Sequence, residues 1–265
     1  MTVRVFHNEN GRLVDGTVEA GLAGTEGWWN SVTVADLNGD GRSDLVLGNL
    51  GLNGYVRGSA AEPARLYVAD FGHNGALEQI LTVYKHGVSY PVAGRDELLA
   101  LIPRLRERYP TYASFGSARV EDVFDAAELA RATVREARVL ASSVALNNGN
   151  GSFTLAPLPV EAQLAPMRTV LADDFDGDGR TDLLVAGNDW GFPPVLGRAD
   201  ASYGLLLRGT GDGRFSGVDP ERSGVVIDGQ ARHMAWLRRA DGSRVIVVAR
   251  NNDKLQVLRP RSARP

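Results

Sequence analysis

The sequence predicts a mainly β protein, a β-propeller-type array of about four four-stranded blades, interrupted by a helical insertion around residues 96–136. Three observations predict this fold: a duplicated acidic segment, glycine-rich turns between short apolar runs, and a regular spacing of the two. The chain has 265 residues, of which 31 are Gly. This exceeds the usual ~7% glycine. We expect a partial propeller, because four blades account for the whole length.

The duplicated segments are residues 34–49 and residues 172–188, which are nearly identical in sequence. Each lies between two short apolar runs, which indicate one β-strand entering an acidic turn and another leaving it. The predicted strands are Val32–Ala35 and Leu45–Leu47 around the first turn, and Val170–Ala172 and Leu183–Val185 around the second.

The second repeated element is a β-hairpin turn rich in Asn-Gly and Asp-Gly, in residues 5–13, 145–153 and 206–215. A degraded hairpin of the same kind occupies residues 67–77. Turns and acidic segments together recur at roughly 63 residues, which is typical of one propeller blade per repeat.

This period divides the chain into blades of one β-propeller region. Two interpretations of the incomplete first blade remain open: the chain is part of a longer protein, or its first hairpin completes the last blade of a small ring. The predicted boundaries are 1–27 for the outer hairpin of an incomplete blade, 28–87 for a blade with an acidic loop, 88–160 for an atypical blade with the helical insertion, 161–222 for a second blade with an acidic loop, 223–260 for the last blade and 261–265 for a tail.

The insertion is predicted to be helical because its apolar residues recur at helical spacing. Asp96 is the expected cap of the first helix, and Pro103 is expected to kink or split it. We expect these helices to pack over a sheet, with a partner-binding amphipathic helix as the alternative. The apolar faces are Leu98, Leu101, Ile102 and Leu105, followed by Val123, Ala127, Ala130 and Val134.

The acidic turns have the composition of a calcium loop. Oxygen-bearing side chains stand at positions 1, 3, 5 and 9, where a tight turn points them inward together. A backbone carbonyl at position 7 can add a ligand, and calcium accepts six to eight such oxygens in flexible geometry. The two predicted Ca²⁺ sites are Asp36, Asn38, Asp40, Arg42 and Asp44, and Asp174, Asp176, Asp178, Arg180 and Asp182.

An EF-hand is excluded by position 12, which requires Glu and is Leu47 in one loop and Val185 in the other. The degraded hairpin carries Asp70, Asn74 and Glu78 in the same phase but has no side-chain ligand at position 3. We expect this third loop to be a turn without metal.

Composition excludes several classes of protein. The chain has no Cys, so disulfides, thiolate catalysis and Cys-based metal sites are absent. A net charge of −3 gives no basic field for nucleic acid. No apolar run reaches the ~20 residues of a membrane span, and no secretory signal precedes the first strand. The four His are scattered and no Gly-x-Ser-x-Gly motif occurs, so we expect no enzyme.

Tryptophan is the side chain best suited to a ligand contact. Trp28, Trp29 and Trp236 are expected to pack between blades. Trp190 is the best candidate for an exposed contact, because a glycine and two prolines follow it.

The pattern Asp-x-Asn/Asp-x-Asp-Gly-x-x-Asp, followed by an apolar run and Gly-Asn, resembles FG-GAP/VCBS repeat proteins. These are similar to integrin α-subunit propellers and to the ASPIC/UnbV-type group, and softer matches resemble the C-terminal part of a larger bacterial member. The softer matches are Gly27–Ser31, Gly48–Asn53, Tyr90-Pro91, Arg95–Leu98, Ala162-Gln163 and Ala165-Pro166.

This resemblance implies a non-catalytic module, stabilised by structural calcium, that is extracellular, at the cell surface or periplasmic. It implies binding of a protein or a glycan, often in adhesion, with neither nucleic acid nor membrane insertion. The alternative is a calcium-dependent polysaccharide lyase or hydrolase built on the propeller, which would need a base converging with an acidic pocket.

Overall fold

The structure is a computed structural model that describes residues 1–260, so the predicted tail at 261–265 lies outside the described residues. The described chain is mainly β, as predicted. Its strands are β1 (Phe6–Glu9), β2 (Arg12–Asp15), β3 (Ser31–Ala35), β4 (Asp44–Gly48), β5 (Ala64–Ala69), β6 (Glu78–Lys85), β7 (Val88–Pro91), β8 (Thr133–Ala137), β9 (Ser143–Asn147), β10 (Phe153–Pro157), β11 (Met167–Asp173), β12 (Asp182–Gly187), β13 (Leu205–Gly209), β14 (Phe215–Gly217), β15 (Ala231–Arg238), β16 (Arg244–Arg250) and β17 (Gln256–Leu258).

The helices are short, and most of them lie between β7 and β8. They are α1 (Arg95–Leu101), α2 (Leu105–Arg108), α3 (Tyr112–Phe115), α4 (Val120–Val123), α5 (Ala126–Arg131) and α6 (Pro220–Ser223), with 3₁₀ turns at Val160–Gln163 and Pro194–Leu196.

The chain folds into two compact units. The insert unit comprises Tyr55–Val139 together with Met1 and Gly24–Gly27. The blade unit comprises Thr2–Ala23, Trp28–Gly54 and the described residues from Leu140 onward.

The blade unit contains three successive antiparallel sheets, ordered β10-β9-β4-β3, β11-β12-β13-β14 and β15-β16-β17. Their first strands are neighbours. The Thr33 hydroxyl on β3 donates to the Val170 carbonyl on β11 at 3.3 Å, and the Met234 amide on β15 donates to the Thr169 hydroxyl at 2.9 Å. Sheets that meet through their first strands are typical of propeller blades. The predicted fold class, a partial propeller-like array, is confirmed.

Strand β12 shows how the blades bury their cores. All six of its residues are buried, although successive side chains of a strand point to opposite faces. Leu183 and Val185 belong to the apolar cluster shared with the β3-β4 sheet, whereas Leu184 and Ala186 belong to the cluster shared with the β15-β16 sheet. The middle blade is therefore packed on both faces, which explains its unbroken apolar run.

The first blade is covered unevenly. Ala20 and Leu22, which follow the β1–β2 hairpin, are fully buried against β4 and β9. On β3, Val32 and Val34 remain 63% and 60% exposed. Within the described chain, β1 and β2 pair with each other and not with β15–β17, so the hairpin does not complete the last blade there.

The strand pairing differs from the blade boundaries at 28–87 and 88–160. Strand β4 pairs with β9, with Leu45 opposite Ala145, so that residues 55–139 lie between the second and third strands of one sheet. Val144 and Ala145 of β9 are both buried, which suits a strand packed on two faces beside β4. Counting repeats assumes that consecutive strands pair, and this holds only about two-thirds of the time.

The insert unit has its own sheet, ordered β7-β6-β5-β8. Helices α1–α5 lie between β7 and β8 in the sequence. Its apolar core joins sheet residues such as Ile80 to helix residues such as Leu98. Phe71, in the loop after β5, and Phe124, directly after α4, belong to the same core, and their ring centroids are 4.3 Å apart. The expectation of helices packed on a sheet is confirmed for this unit.

The first predicted helix is split as expected, because α1 ends before Pro103 and α2 begins after it. The predicted cap at Asp96 is wrong. The N-cap is Gly94, whose amide donates to the Glu97 carboxylate at 2.9 Å. Leu98 is buried, but Leu101 is 47% exposed and does not belong to the packed face.

The second predicted helix is also two helices, α4 and α5. The Asp125 carboxylate accepts the Glu128 amide at 2.7 Å and so starts a new helix in the middle of the predicted one. Val134 is not helical, since it lies on β8 opposite Tyr67. A β-branched residue at this point favours the strand.

Candidate metal sites in the acidic loops

The first acidic loop joins β3 to β4 and wraps its backbone around Asp36. The Asp36 carboxylate accepts the amides of Gly39 and Gly41, both at 2.8 Å. Both glycines have positive φ, which is needed to turn these amides inward. The hydrogen bonds, with that of Gly41 the strongest, lower the pKa of Asp36. The side chain at position 1 is therefore a fixed, ionised carboxylate.

Asp40, at position 5, is held by its neighbours in the turn. It accepts the Asn38 amide group at 2.8 Å and the Arg42 backbone amide at 2.9 Å, and it pairs with the Arg42 guanidinium. Arg42 also donates from Nε to the Asn147 carbonyl at 3.0 Å. The Arg42 side chain therefore neutralises the charge of Asp40. The backbone carbonyl of Arg42 stays a predicted metal ligand.

Asp44, at position 9, is completely buried. One oxygen accepts the Leu37 amide at 2.9 Å within the loop, and the other accepts the Asn147 amide at 2.7 Å. Asn147 ends β9, so Asp44 ties the loop to the third strand of the blade.

The second acidic loop, between β11 and β12, repeats this geometry. Asp174 accepts the amides of Gly177 at 2.7 Å and Gly179 at 2.9 Å. Asp174, Asp176 and Asp182 each offer one carboxylate oxygen, and these oxygens all lie within 4.8 Å of one another. Three convergent carboxylates are the hard oxygen donors that divalent cations such as calcium prefer.

Asp182 repeats the role of Asp44. It is 1% exposed and accepts the amide of Phe175 at 3.1 Å and that of Gly209, at the end of β13, at 2.9 Å. Burial raises its pKa, with smaller contributions from the charges of Asp176 and Asp178, although the two hydrogen bonds oppose the shift. A buried carboxylate with a raised pKa is one that a bound cation would stabilise.

Two arginines balance part of the charge in this loop. Arg180 donates from Nε to Asp178 at 3.1 Å, and Arg208 on β13 pairs with Asp176. Asp178 in turn raises the pKa of Arg180. Neither arginine forms an ion pair with Asp174 or Asp182 in the described chain.

The degraded third loop, between β5 and β6, has the same backbone shape. Asp70 accepts the amides of Asn74 and Gly75, both at 2.9 Å, and Glu78 accepts the Gly72 amide at 2.9 Å. Gly72 stands at position 3 and supplies no side-chain oxygen. The loop is a hairpin of the predicted kind, and the absence of metal from it stays a prediction.

Two of the tryptophans contact other aromatic rings, and Trp190 is exposed. Trp236 stacks on Phe175 with centroids 5.9 Å apart, and Trp28 meets Phe192 edge-on at 6.0 Å. Trp190 is 42% exposed. Its contact with a ligand stays a prediction.

Sequence reasoning missed the groups that reach the acidic loops from elsewhere in the chain. Arg208 and Gly209 come from β13, and Asn147 comes from β9. Nothing in the spacing of the loop residues indicates these partners. The sequence predicts the hairpin turns beside them, but which acidic loop each turn contacts depends on the sheet topology.

Fold and site together define a class: a β-rich repeat protein with propeller-like sheets and acidic Asp-rich turns between strands. A family model, described as FG-GAP-like repeat, matches residues 1–47. The match spans β1, β2, β3, the first acidic loop and most of β4. The resemblance to FG-GAP repeat proteins is thus confirmed over this segment. No curated protein matches the chain.

Among the described residues, no helix is both long enough and apolar enough to cross a membrane.

Proposed function

We propose that this chain is a non-catalytic, calcium-binding repeat module of an extracellular, cell-surface or periplasmic protein, and that it binds a protein or a glycan. The calcium is structural. The observation that carries the proposal is the convergence of the Asp174, Asp176 and Asp182 oxygens within 4.8 Å of one another.

The chemistry of this site suits calcium. Ca²⁺ accepts six to eight oxygens at 2.3–2.6 Å in flexible geometry, whereas Mg²⁺ requires a near-ideal octahedron at 2.0–2.1 Å and usually keeps several waters. The Asp178 carboxylate and the Arg180 carbonyl would complete the shell. Asp36, Asn38, Asp40, Arg42 and Asp44 would form the equivalent set in the first loop.

A structural role is supported by the contacts of position 9. Asp44 and Asp182 each link an acidic loop to the third strand of the same sheet. A cation bound to these carboxylates would neutralise charge at the junction of three strands. We therefore expect calcium to stabilise the blade unit rather than to take part in a reaction.

The metal claim is tested with the unmodified protein. Thermal unfolding is followed in 1 mM EDTA, in excess CaCl₂ and in excess MgCl₂, and calcium titration is followed by calorimetry. We expect two binding events per chain and a melting temperature that calcium raises more than magnesium does. Equal midpoints in all three buffers would refute calcium binding.

The choice between binding and turnover needs a separate measurement. A glycan array identifies ligands, and incubation with acidic polysaccharides followed by chain-length analysis detects cleavage. We expect binding without cleavage. Calcium-dependent shortening of a polysaccharide would instead support the lyase or hydrolase alternative.

A further inference from the structure

The segment that follows β12 forms a closed loop around Trp190. The backbones of Asp189 and Ala199 exchange two hydrogen bonds of 2.8 Å, which join the ends of the loop. The Trp190 amide donates to the Gln230 side chain at 3.0 Å, which fixes the loop to the residue that precedes β15. Trp190 is thus exposed on a loop whose backbone is held on two sides.

Two arginines approach this loop from neighbouring blades. Arg168 and Arg232 each stand at an irregularity of strand register near the start of β11 and β15. Such bulges redirect a side chain out of the alternating pattern of a strand. Arg168 pairs with Asp189, and Arg232 donates to the Asn188 carbonyl at 3.1 Å. Both guanidinium groups therefore converge on residues 188–189.

A third arginine belongs to the loop itself. The Arg198 guanidinium lies 5.0 Å from the centroid of the Trp190 ring. Trp190 stays 42% exposed even with this group over its ring. An indole surface and a cation are thus presented together.

The positive charge at this place exceeds the negative charge. Within residues 1–260, Asp189 is the one carboxylate paired with any of these arginines, through Arg168, and the neighbouring Asp200 pairs with none of them. The Nε atom of Arg168 is buried and has no hydrogen-bond partner among the described residues. Burial and the charge of Arg168 lower the pKa of Arg232. An additional anion would relieve this repulsion.

We propose that Trp190, Arg198 and Arg168 form a subsite for a carboxylate-bearing sugar, a uronate residue of an acidic glycan. The planar guanidinium donates paired hydrogen bonds to a carboxylate, and an exposed indole packs against the C–H face of a sugar ring. A peptide carboxylate needs only the arginines, so the exposed indole favours the sugar. This inference rests on the proposed glycan-binding function and names the chemistry of its ligand.

The test compares three probes by calorimetry in calcium buffer: tetragalacturonate, the same oligomer with methyl-esterified carboxyl groups, and a penta-glutamate peptide. We expect the acidic oligomer to bind at least 10-fold more tightly than either of the others. Equal binding of the esterified oligomer, or tighter binding of the peptide, would overturn the uronate assignment.

Variants locate the site. Trp190→Ala and Arg198→Ala are each expected to weaken tetragalacturonate binding 10-fold or more. The matched controls Phe6→Ala, which removes another exposed aromatic ring, and Arg214→Ala, which removes an arginine 85% exposed in its side chain, are expected to leave it within 2-fold. Arg168→Lys keeps the charge and is expected to weaken binding about 5-fold, because it loses the planar fork. Unchanged affinity in Trp190→Ala and Arg198→Ala would overturn the site.

The calcium-dependent melting temperature is measured on every variant. A normal calcium shift without uronate binding would reject the subsite and leave the calcium module standing. Uronate binding that depends on Trp190 and Arg198, without any calcium shift, would support the subsite and reject the calcium part of the proposed function.

Discussion

Replacing Asp182 by Asn separates the structural contribution of this carboxylate from its contribution through metal. In the unmodified protein its two oxygens accept the amides of Phe175 and Gly209. Asn keeps the size of the side chain but has one acceptor oxygen, so one backbone amide faces an NH₂ group. An unsatisfied buried polar group costs about 1–3 kcal/mol.

Two effects modify this cost. Without metal, Asn also removes a charge whose burial is unfavourable, so the net loss in EDTA is expected in the lower part of this range, at about 1–2 kcal/mol. With metal, the unmodified protein gains about 2.7 kcal/mol when calcium is at 100 times its dissociation constant. Asp182→Asn loses most of that gain, so its deficit in calcium grows to about 4 kcal/mol.

The assay is thermal or urea unfolding of both proteins, in EDTA and in calcium, followed by tryptophan fluorescence. At roughly 2–4 °C per kcal/mol, the midpoint difference is expected to rise from about 2–8 °C in EDTA to about 8–16 °C in calcium. Asp212→Asn is the control, since this carboxylate lies on the exposed β13–β14 turn and outside the acidic loops. If Asp182→Asn shows the same deficit in both buffers, the carboxylate is a structural hydrogen-bond acceptor and not a calcium ligand.

Three further outcomes are expected. Asp70→Asn in the third loop leaves the calcium-dependent rise in melting temperature unchanged, and a loss of that rise would show that this loop also binds metal. Arg208→Ala removes a cation that competes for Asp176, so calorimetry is expected to show calcium binding about 2- to 5-fold tighter; weaker binding would show that the arginine positions the carboxylate instead. In the insert unit, hydrogen bonds led by that of Arg138 lower the pKa of Glu136 below its reference of 4.5. A carboxyl group whose pKa is lowered on folding adds stability above its unfolded pKa, and this stability is lost as the pH falls through its folded pKa. Glu136→Gln is therefore expected to flatten the plot of stability against pH below about pH 4.5. An unchanged acid limb of that plot would contradict this assignment.

The acidic loops could be predicted from sequence because everything that shapes them is local. Asp36 and Gly41 are five residues apart, and their hydrogen bond forms within a single turn. Glycine at the positions with positive φ turns the backbone amides inward, where the carboxylate at position 1 accepts them. The strands on either side follow from alternating or continuous apolar runs of a few residues.

Sheet pairing and the arginine cluster could not be predicted in this way. Both depend on residues far apart in sequence, such as Arg168 and Arg232 on separate blades. A bulge places these side chains, and nothing in the residues around Arg168 distinguishes a bulged strand from a regular one. The three arginines look like ordinary surface charges until the topology brings them together.

The hydrogen bond between Asp44 and Asn147 explains how one blade accommodates a long insertion. It joins the first acidic loop to β9 across the whole of residues 55–139. The equivalent bond from Asp182 to Gly209 joins strands that follow each other closely in sequence. The ninth loop residue thus holds the third strand whatever the length of the connection, so residues 55–139 can lie between the second and third strands of one sheet. Asp44 is also a predicted calcium ligand. Metal binding in the first loop is therefore expected to stabilise the contact between this loop and β9, the strand that the insertion separates from β4 in the sequence.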